Sequence, residues 1–138
     1  LWQCGNNYFE KYKSLESDII KVKPYIKKMN YAYKAADYIV SRAGASVISE
    51  LCIVGKPVIF IPSPNVAEDH QTKNALSIVS LNSAEIVKEK DLNIKFNRVF
   101  ENIYNNEEFS LKLSKSIKKS GRPKATEDIV NLIINFLK

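Results

Sequence analysis

Apolar residues in this chain alternate between short continuous runs and stretches with helical spacing. The run PVIFIP at 57–62 is bounded by prolines, which is typical of a strand buried on both faces of a parallel sheet. Weaker β character is found in four further segments: 1–4, 18–26, 37–41 and 83–89. Apolar residues three or four positions apart predict helices in the segments between them: 7–16, 30–37, 46–55 and 70–81.

This alternation of strands and helices favours an α/β fold, with a Rossmann-like parallel sheet and right-handed crossovers. In such sheets ligands bind at the carboxyl ends of the strands. We therefore expect the loops that follow 18–26, 37–41 and 57–61 to line one edge of a sheet and to carry the chemistry.

The last third of the chain has helical spacing only. Three helices are expected there: 92–105, 107–121 and 125–138. Gly121 is predicted to end the second helix, and Thr126 to cap the third. We expect one domain over 1–138, with an α/β portion at 1–91 and a helical tail at 92–138.

Composition narrows the class of protein only modestly. Twenty-one Lys and Arg residues against 15 Asp and Glu give a net charge of +6, but the lysines are scattered and form no run of five. Solvated surface lysines explain this better than a nucleic-acid site, which would cluster Arg and aromatic residues on one face. No apolar run is long enough for a membrane span, and no secretory signal is visible. The chain begins with Leu1 inside an apolar segment, so we expect a piece of a longer protein.

The two cysteines do not indicate a metal site. Cys4 and Cys52 lie far apart and lack the spacing of metal-binding motifs. They are typical of free thiols in a reducing compartment. We expect neither a metal nor a cofactor.

The stretch RAGAS at 42–46 joins a predicted strand to a predicted helix. A helix N-terminus offers free N–H groups and a positive dipole end, which together bind phosphate. Gly44 and its small neighbours would let a phosphate reach those donors, and Arg42 adds a fixed positive charge. The alternative is a tight turn that needs Gly44 for backbone reasons alone, and this segment by itself does not decide between the two.

Glu50 lies about one turn into the same helix. A capping-box glutamate would follow a Ser or Thr cap by three residues, but Val47 stands there and Ser46 is four residues before. A carboxylate at this place can accept hydrogen bonds from a ribose diol. The alternative is a glutamate favoured by the helix dipole.

Three neutral polar residues begin the helix that follows PVIFIP. His70 is the only histidine, and Gln71 and Asn74 share a helix face through their i,i+3 spacing. Imidazole and amide groups of this kind suit sugar hydroxyls. No Ser-His-Asp or paired-carboxylate arrangement stands out.

These motifs, taken together, resemble the MurG family, the UDP-N-acetylglucosamine transferases that convert lipid I to lipid II in bacterial peptidoglycan synthesis. The resemblance rests on R-A-G-A-x-x-x-x-E, G-K-P-x-I-x-I-P and H-Q-x-x-N-A, in this order within 36–75. WQCG at 2–5 and the segment 24–37 are also similar. The resemblance implies the donor-binding, C-terminal half of a GT-B glycosyltransferase.

The resemblance also implies roles for single residues. The backbone at Ile26 would bind uracil, Met29 would pack nearby, and Glu50 would take the ribose hydroxyls. His70 and Gln71, beside Asn74, would reach the N-acetylglucosamine hydroxyls. The diphosphate would lie against the start of the helix: Ala45, Ser46, Val47, Ile48 and Ser49.

Arg42 would sit beside the nucleotide or support its loop. Val47 stands where the family often has Thr, so a hydroxyl contact to phosphate is lost there, and Ser46 or Ser49 is the candidate replacement.

The same resemblance implies an inverting, metal-independent transfer at the cytoplasmic face of the plasma membrane. The catalytic base, the lipid I site and the membrane contact would belong to a domain outside this chain. We therefore expect no catalytic residue in the chain, and no sugar transfer by the chain alone. A separate donor-binding subunit that needs a membrane partner, or a nucleotide-binding regulator, are the alternatives.

Overall fold

The computed structural model describes residues 1–137, which divide into two compact units. The first unit, Leu1–Ala36, has a two-stranded parallel sheet in which Trp2 lies opposite Val22. The rings of Trp2 and Tyr12 pack 4.7 Å apart. Its elements are β1 (Trp2–Gln3), α1 (Asn6–Tyr12), a 3₁₀ turn (Lys13–Leu15), β2 (Val22–Lys23) and α2 (Met29–Ala35).

The strand predicted at 18–26 is shorter than expected and has a different neighbour. β2 contains only Val22 and Lys23, and it pairs with β1 and not with the strands of the second unit. Pro24 follows directly and has no N–H with which to continue a ladder. The loop after 18–26 therefore follows a strand of a different sheet from the other two loops.

The second unit begins at Asp37 and contains a three-stranded parallel sheet in the order β3-β4-β5. Ile39 lies opposite Val58, and Ile59 lies opposite Glu85. This arrangement confirms the predicted α/β fold with parallel strands and flanking helices. Its elements are β3 (Ile39–Ser41), α3 (Ala45–Val54), β4 (Val58–Phe60), α4 (His70–Val79), β5 (Glu85–Ile86), α5 (Leu92–Tyr104), α6 (Glu107–Lys119) and α7 (Ala125–Phe136).

The core of the second unit forms around β4, the strand in the middle of the sheet. Val58, Ile59 and Phe60 are all buried, as the continuous apolar run predicts. Helix α3 contributes Leu51 and Cys52, which are also buried. A cluster on the side of α5 and α6 completes the core: Ile59, Val87, Ile103 and Leu113.

The three helices after residue 91 lie close to their predicted positions. Helix α6 ends at Lys119, Ser120 is its C-cap and Gly121 follows, with the Gly121 N–H donating to the Lys118 carbonyl at 3.2 Å. Gly121 therefore lies just past the end of the helix, as expected. The predicted cap at Thr126 is wrong, because α7 begins at Ala125 and Lys124 occupies the N-cap position. No residue of α7 is buried, although its apolar side chains recur at helical spacing.

Candidate functional site

The candidate site lies where the three parallel strands of the second unit end. Ser41 ends β3, Phe60 ends β4 and Ile86 ends β5, and parallel strands place these ends at one edge. Residues 42–44 lead from this edge into α3, and 61–66 lead toward α4. The sheet therefore brings the RAGAS and HQ motifs to the same edge.

The start of α3 is open. Gly44 is the N-cap, and its carbonyl accepts the first helical hydrogen bond, from the Ile48 N–H at 2.9 Å. Among residues 1–137, no side chain caps this helix. The N–H groups of Ala45, Ser46 and Val47 have no partner within the helix, because the first turn of any α-helix lacks acceptors for them. These donors and the positive dipole end are available to an anion.

Gly44 itself is not required by the fold. Its φ of −67° and ψ of 144° are extended values that any residue adopts. A Cβ added to Gly44 would meet no atom of the described residues within 4 Å. The alternative that a tight turn needs this glycine for backbone reasons is therefore wrong. A side chain at this position would extend into open space at the start of the helix.

The first turn of α3 offers one exposed hydroxyl. Ser46 is exposed, whereas the Ser49 hydroxyl donates to the Ala45 carbonyl at 3.1 Å within the helix. The Ile48 side chain is buried in the core, and its N–H is already used by Gly44. Val47 is half-buried. Ser46 is thus better placed than Ser49 to replace a threonine hydroxyl near a phosphate.

Glu50 is exposed and is the sixth residue of α3, in its second turn. The first turn contains no acidic residue. Dipole stabilisation of a carboxylate fades beyond the first turn, so the helix dipole explains this glutamate poorly. Glu50 lies four residues, about one turn, after Ser46, so the two residues share a face of α3.

Arg42 connects all three strand ends. Its Nη1 donates to the Ile61 carbonyl at 3.2 Å and to the Pro62 carbonyl at 3.3 Å, both just after β4. The same nitrogen forms an ion pair with the Glu89 carboxylate, 2.6 Å away, after β5. Both side chains are about half exposed, so the ion pair alone stabilises little. Of the two expectations for Arg42, this geometry matches support of the loop.

Glu89 is a residue that sequence reasoning missed. It follows β5 by three residues, at the same edge as the two motif loops. The prediction placed Glu89 inside a strand at 83–89, whereas β5 ends at Ile86 and leaves Glu89 in the loop that follows it.

Gln71 and Asn74 contact the backbone of the loops. The Gln71 Oε1 accepts from the Ala43 N–H at 3.2 Å and from the Ser63 N–H at 2.9 Å. Asn74 Nδ2 donates to the Ala43 carbonyl at 3.2 Å. The i,i+3 spacing does place both amides on one face of α4, but in this structure that face holds protein backbone.

His70 is the first residue of α4, and its side chain is 60% exposed. Its Nε2 lies 3.8 Å from the Glu68 carboxylate, which is itself exposed, so this pair contributes little stability. Glu68 and Asp69 have φ values of 51° and 53°. Two successive left-handed residues are strained for side chains other than glycine, and they directly precede the histidine.

Ile26 and Met29 belong to the first unit. The Ile26 N–H donates to Gln3 Oε1 at 2.7 Å, and Met29 begins α2 and is half-buried. Gln3 was not predicted as part of this region. Its only signal was its place on β1, whose parallel pairing with β2 could not be read from the pattern.

Cys4 and Cys52 are free thiols, as predicted, and burial raises the pKa of the Cys52 thiol. Nowhere in residues 1–137 do three His, Cys, Asp or Glu side chains gather in a way that could hold a metal ion. Within the same residues, every helix is too short or too polar to span a bilayer.

Comparison with known proteins agrees with the motifs. A protein of Flavobacterium psychrophilum is 51% identical over 138 residues, and one of Cytophaga hutchinsonii is 48% identical over 137. Both are named UDP-N-acetylglucosamine–N-acetylmuramyl-(pentapeptide) pyrophosphoryl-undecaprenol N-acetylglucosamine transferase. Each match covers 99% of this chain but only 38% and 37%, respectively, of the relative.

A solved structure has the same fold. The crystal structure of Acinetobacter baumannii MurG matches with a TM-score of 0.82 and 29% identity, over 96% of this chain and 40% of that protein. The family model described as "Glycosyltransferase family 28 C-terminal domain" matches residues 1–132. The resemblance inferred from the motifs is confirmed, and the chain belongs to glycosyltransferase family 28, as a C-terminal domain of that family.

Proposed function

We propose that this chain is the UDP-N-acetylglucosamine-binding part of the transferase that converts lipid I to lipid II. The two relatives described above carry the name of that transferase, and the chain spans little more than a third of their length. The activity of the whole enzyme, its lipid-linked acceptor and its location at the cytoplasmic face of the plasma membrane are part of this proposal.

The observation that carries the proposal is the unneeded glycine at the start of α3. Neither the φ of Gly44 nor its packing requires glycine, yet a side chain would stand in front of three N–H groups that have no helical acceptor. A diphosphate that approaches those donors explains the choice of residue. It also explains why the first turn of α3 contains no carboxylate.

We assign the remaining contacts to residues of the second unit. The diphosphate lies against the N–H groups of residues 45–47, with the Ser46 hydroxyl beside it. Glu50, one turn further, accepts the two ribose hydroxyls. His70, exposed at the start of α4, reaches the N-acetylglucosamine.

In the proposed reaction, the acceptor hydroxyl attacks the anomeric carbon and the bond to the UDP oxygen breaks. Negative charge then develops on the diphosphate. Aligned N–H groups and the helix dipole stabilise that charge in the transition state. The base that takes the acceptor proton, and the site for the lipid, belong to the part of the relatives that this chain does not span.

The test is UDP binding to the protein and to Glu50→Ala, measured by calorimetry. A hydrogen bond to a charged group contributes about 1.5–3 kcal/mol, so the variant should bind UDP about 10- to 150-fold more weakly. Binding of 2′,3′-dideoxy-UDP should change little, because that ligand lacks the hydroxyls. Glu101→Ala, an exposed glutamate on α5, is the matched control and should bind UDP normally.

Two outcomes would count against the proposal. No measurable UDP binding by the unmodified protein would overturn the donor-site assignment as a whole. Equal weakening of UDP and dideoxy-UDP in Glu50→Ala would retain the site but remove Glu50 from the ribose contact.

A further inference from the structure

The backbone of Ala43 is held by two side chains of α4. Ala43 lies in the loop between β3 and α3, outside the hydrogen-bonded ladder of the strands, and it is fully buried. Its N–H donates to Gln71 Oε1 at 3.2 Å, and its carbonyl accepts from Asn74 Nδ2 at 3.2 Å. The backbone N–H and carbonyl of Ala43 are therefore both hydrogen-bonded by side chains of α4, as buried backbone groups must be.

The same Gln71 oxygen also takes a second N–H. Ser63, in the loop after β4, donates to it at 2.9 Å. One side-chain atom thus joins the loop that leads into α3 to the loop that leads into α4. Arg42 joins the same two loops a second time, through the Ile61 and Pro62 carbonyls.

Helix α4 is well placed to act as a support. Gln71 and Asn74 are half-buried, and Ala75 and Ile78 on the same helix are buried in the core. The two amides are thus fixed to a packed element, whereas residues 42–44 have no regular structure of their own. An amide oxygen has two lone pairs, and Gln71 uses both for backbone N–H groups.

We propose that Gln71 and Asn74 are positioning residues, which hold the phosphate loop, residues 42–44, so that the first N–H groups of α3 stay aligned on the diphosphate. This inference rests on the proposed function. It assigns the Gln71 oxygen to the loop and not to the sugar. Discrimination of sugar hydroxyls from α4 then falls mainly to His70 and to the remaining Gln71 N–H donors.

The first test concerns the brace, which we define as the hydrogen bonds from the Ala43 and Ser63 N–H groups to Gln71 Oε1. It uses no ligand and measures amide hydrogen exchange by NMR. Gln71→Met keeps the length of the side chain but removes the acceptor, so the Ala43 and Ser63 amides should exchange much faster. Gln71→Glu keeps acceptor oxygens and loses the N–H donors, so it should restore protection of both amides. Lys73→Ala, an exposed position on α4, is the control and should change neither amide.

The positioning role is tested next, with UDP and with uridine as probes. Gln71→Met should bind UDP roughly tenfold more weakly and uridine normally, because only the phosphate contact depends on the loop. A role of Gln71 in sugar contact alone predicts the reverse, with UDP unchanged and only UDP-N-acetylglucosamine weakened. Should Gln71→Met not fold, Asn74→Leu removes only the bond to the Ala43 carbonyl and has the same expected pattern.

The outcomes separate this inference from the proposed function. Fast amide exchange together with unchanged UDP affinity in Gln71→Met would overturn the positioning role. Amides that stay protected in that variant would show that the bracing contact is not made. Protected amides in an unmodified protein that binds no UDP would overturn the proposed function and leave the brace itself supported.

Discussion

The two ends of α3 each carry a glycine, but for different reasons. At the C-terminal end, Gly55 has φ 67° and ψ 36°, and its N–H donates to the Leu51 carbonyl at 3.0 Å. A Cβ added there would lie 3.0 Å from Lys118 Cδ on α6. At the N-terminal end, Gly44 has an extended backbone, and an added Cβ meets nothing within 4 Å among the described residues.

Backbone angles and the surrounding space separate a glycine that the fold requires from one that the fold does not require. Gly55 satisfies the left-handed conformation that ends many helices, which is unfavourable for residues with a Cβ. Gly44 satisfies no such requirement. The sequence alone treats both as helix boundaries, so only the backbone angles and the surrounding space distinguish them.

The largest expected effect is at the N-terminal end, with Gly44→Ser. Serine is a better N-cap than glycine, so the free energy of unfolding should stay equal or rise by a few tenths of a kcal/mol. The new hydroxyl would bond to the N–H groups that the diphosphate needs. We expect UDP affinity to fall about 10- to 150-fold, the cost of losing a charge-assisted hydrogen bond. Calorimetry and thermal unfolding measure the two effects separately.

Unchanged UDP affinity in Gly44→Ser would contradict this reading of the glycine. A clear loss of stability would also contradict it, since it would mean that the fold requires glycine at both ends of α3.

The opposite pattern is expected for Gly55→Ala. A residue with a Cβ in the left-handed region costs about 1–2 kcal/mol, so the free energy of unfolding should fall by that amount. Contact with Lys118 should add to this loss, because the added atom would lie 3.1 Å from the Lys118 Cβ, which is fixed to the backbone of α6. UDP affinity of the folded variant should be unchanged, since Gly55 lies at the far end of the helix. Denaturant unfolding followed by UDP titration would test this, and weakened UDP binding would contradict it.

The elements that could be predicted best were those with the longest apolar run or the longest stretch of helical spacing. The continuous run at 57–62 and the helical spacing at 46–55 and 70–81 predicted β4, α3 and α4 well. Segment 18–26 failed because an apolar run indicates burial but not the partner strand. Helix α7 shows the same limit, since its spacing predicted a helix correctly but did not decide whether its large apolar side chains, which are all exposed in this structure, pack on the domain.

The candidate site divides in the same way. The residues on one continuous helix, such as Ser46 and Glu50, could be assigned from spacing because the helix fixes their separation. The contacts from Gln71 to Ala43 and Ser63 could not, since they join residues 28 and 8 positions away through side chain and backbone. A motif names the residue type that a site retains, but not which of its atoms faces the ligand.

The smallest effect is expected for Ser114→Ala, on the neighbouring helix α6. The Ser114 hydroxyl on α6 donates to the Gly55 carbonyl and so binds the end of α3 from outside. A neutral hydrogen bond contributes about 0.5–1.5 kcal/mol, so the free energy of unfolding should fall by that amount while UDP affinity stays the same. Ser110→Ala, one turn earlier on α6, is the matched control and should cost less. Denaturant unfolding of both variants measures the difference. Equal losses at the two positions would mean that the bond to Gly55 adds nothing, and that the left-handed glycine alone ends α3.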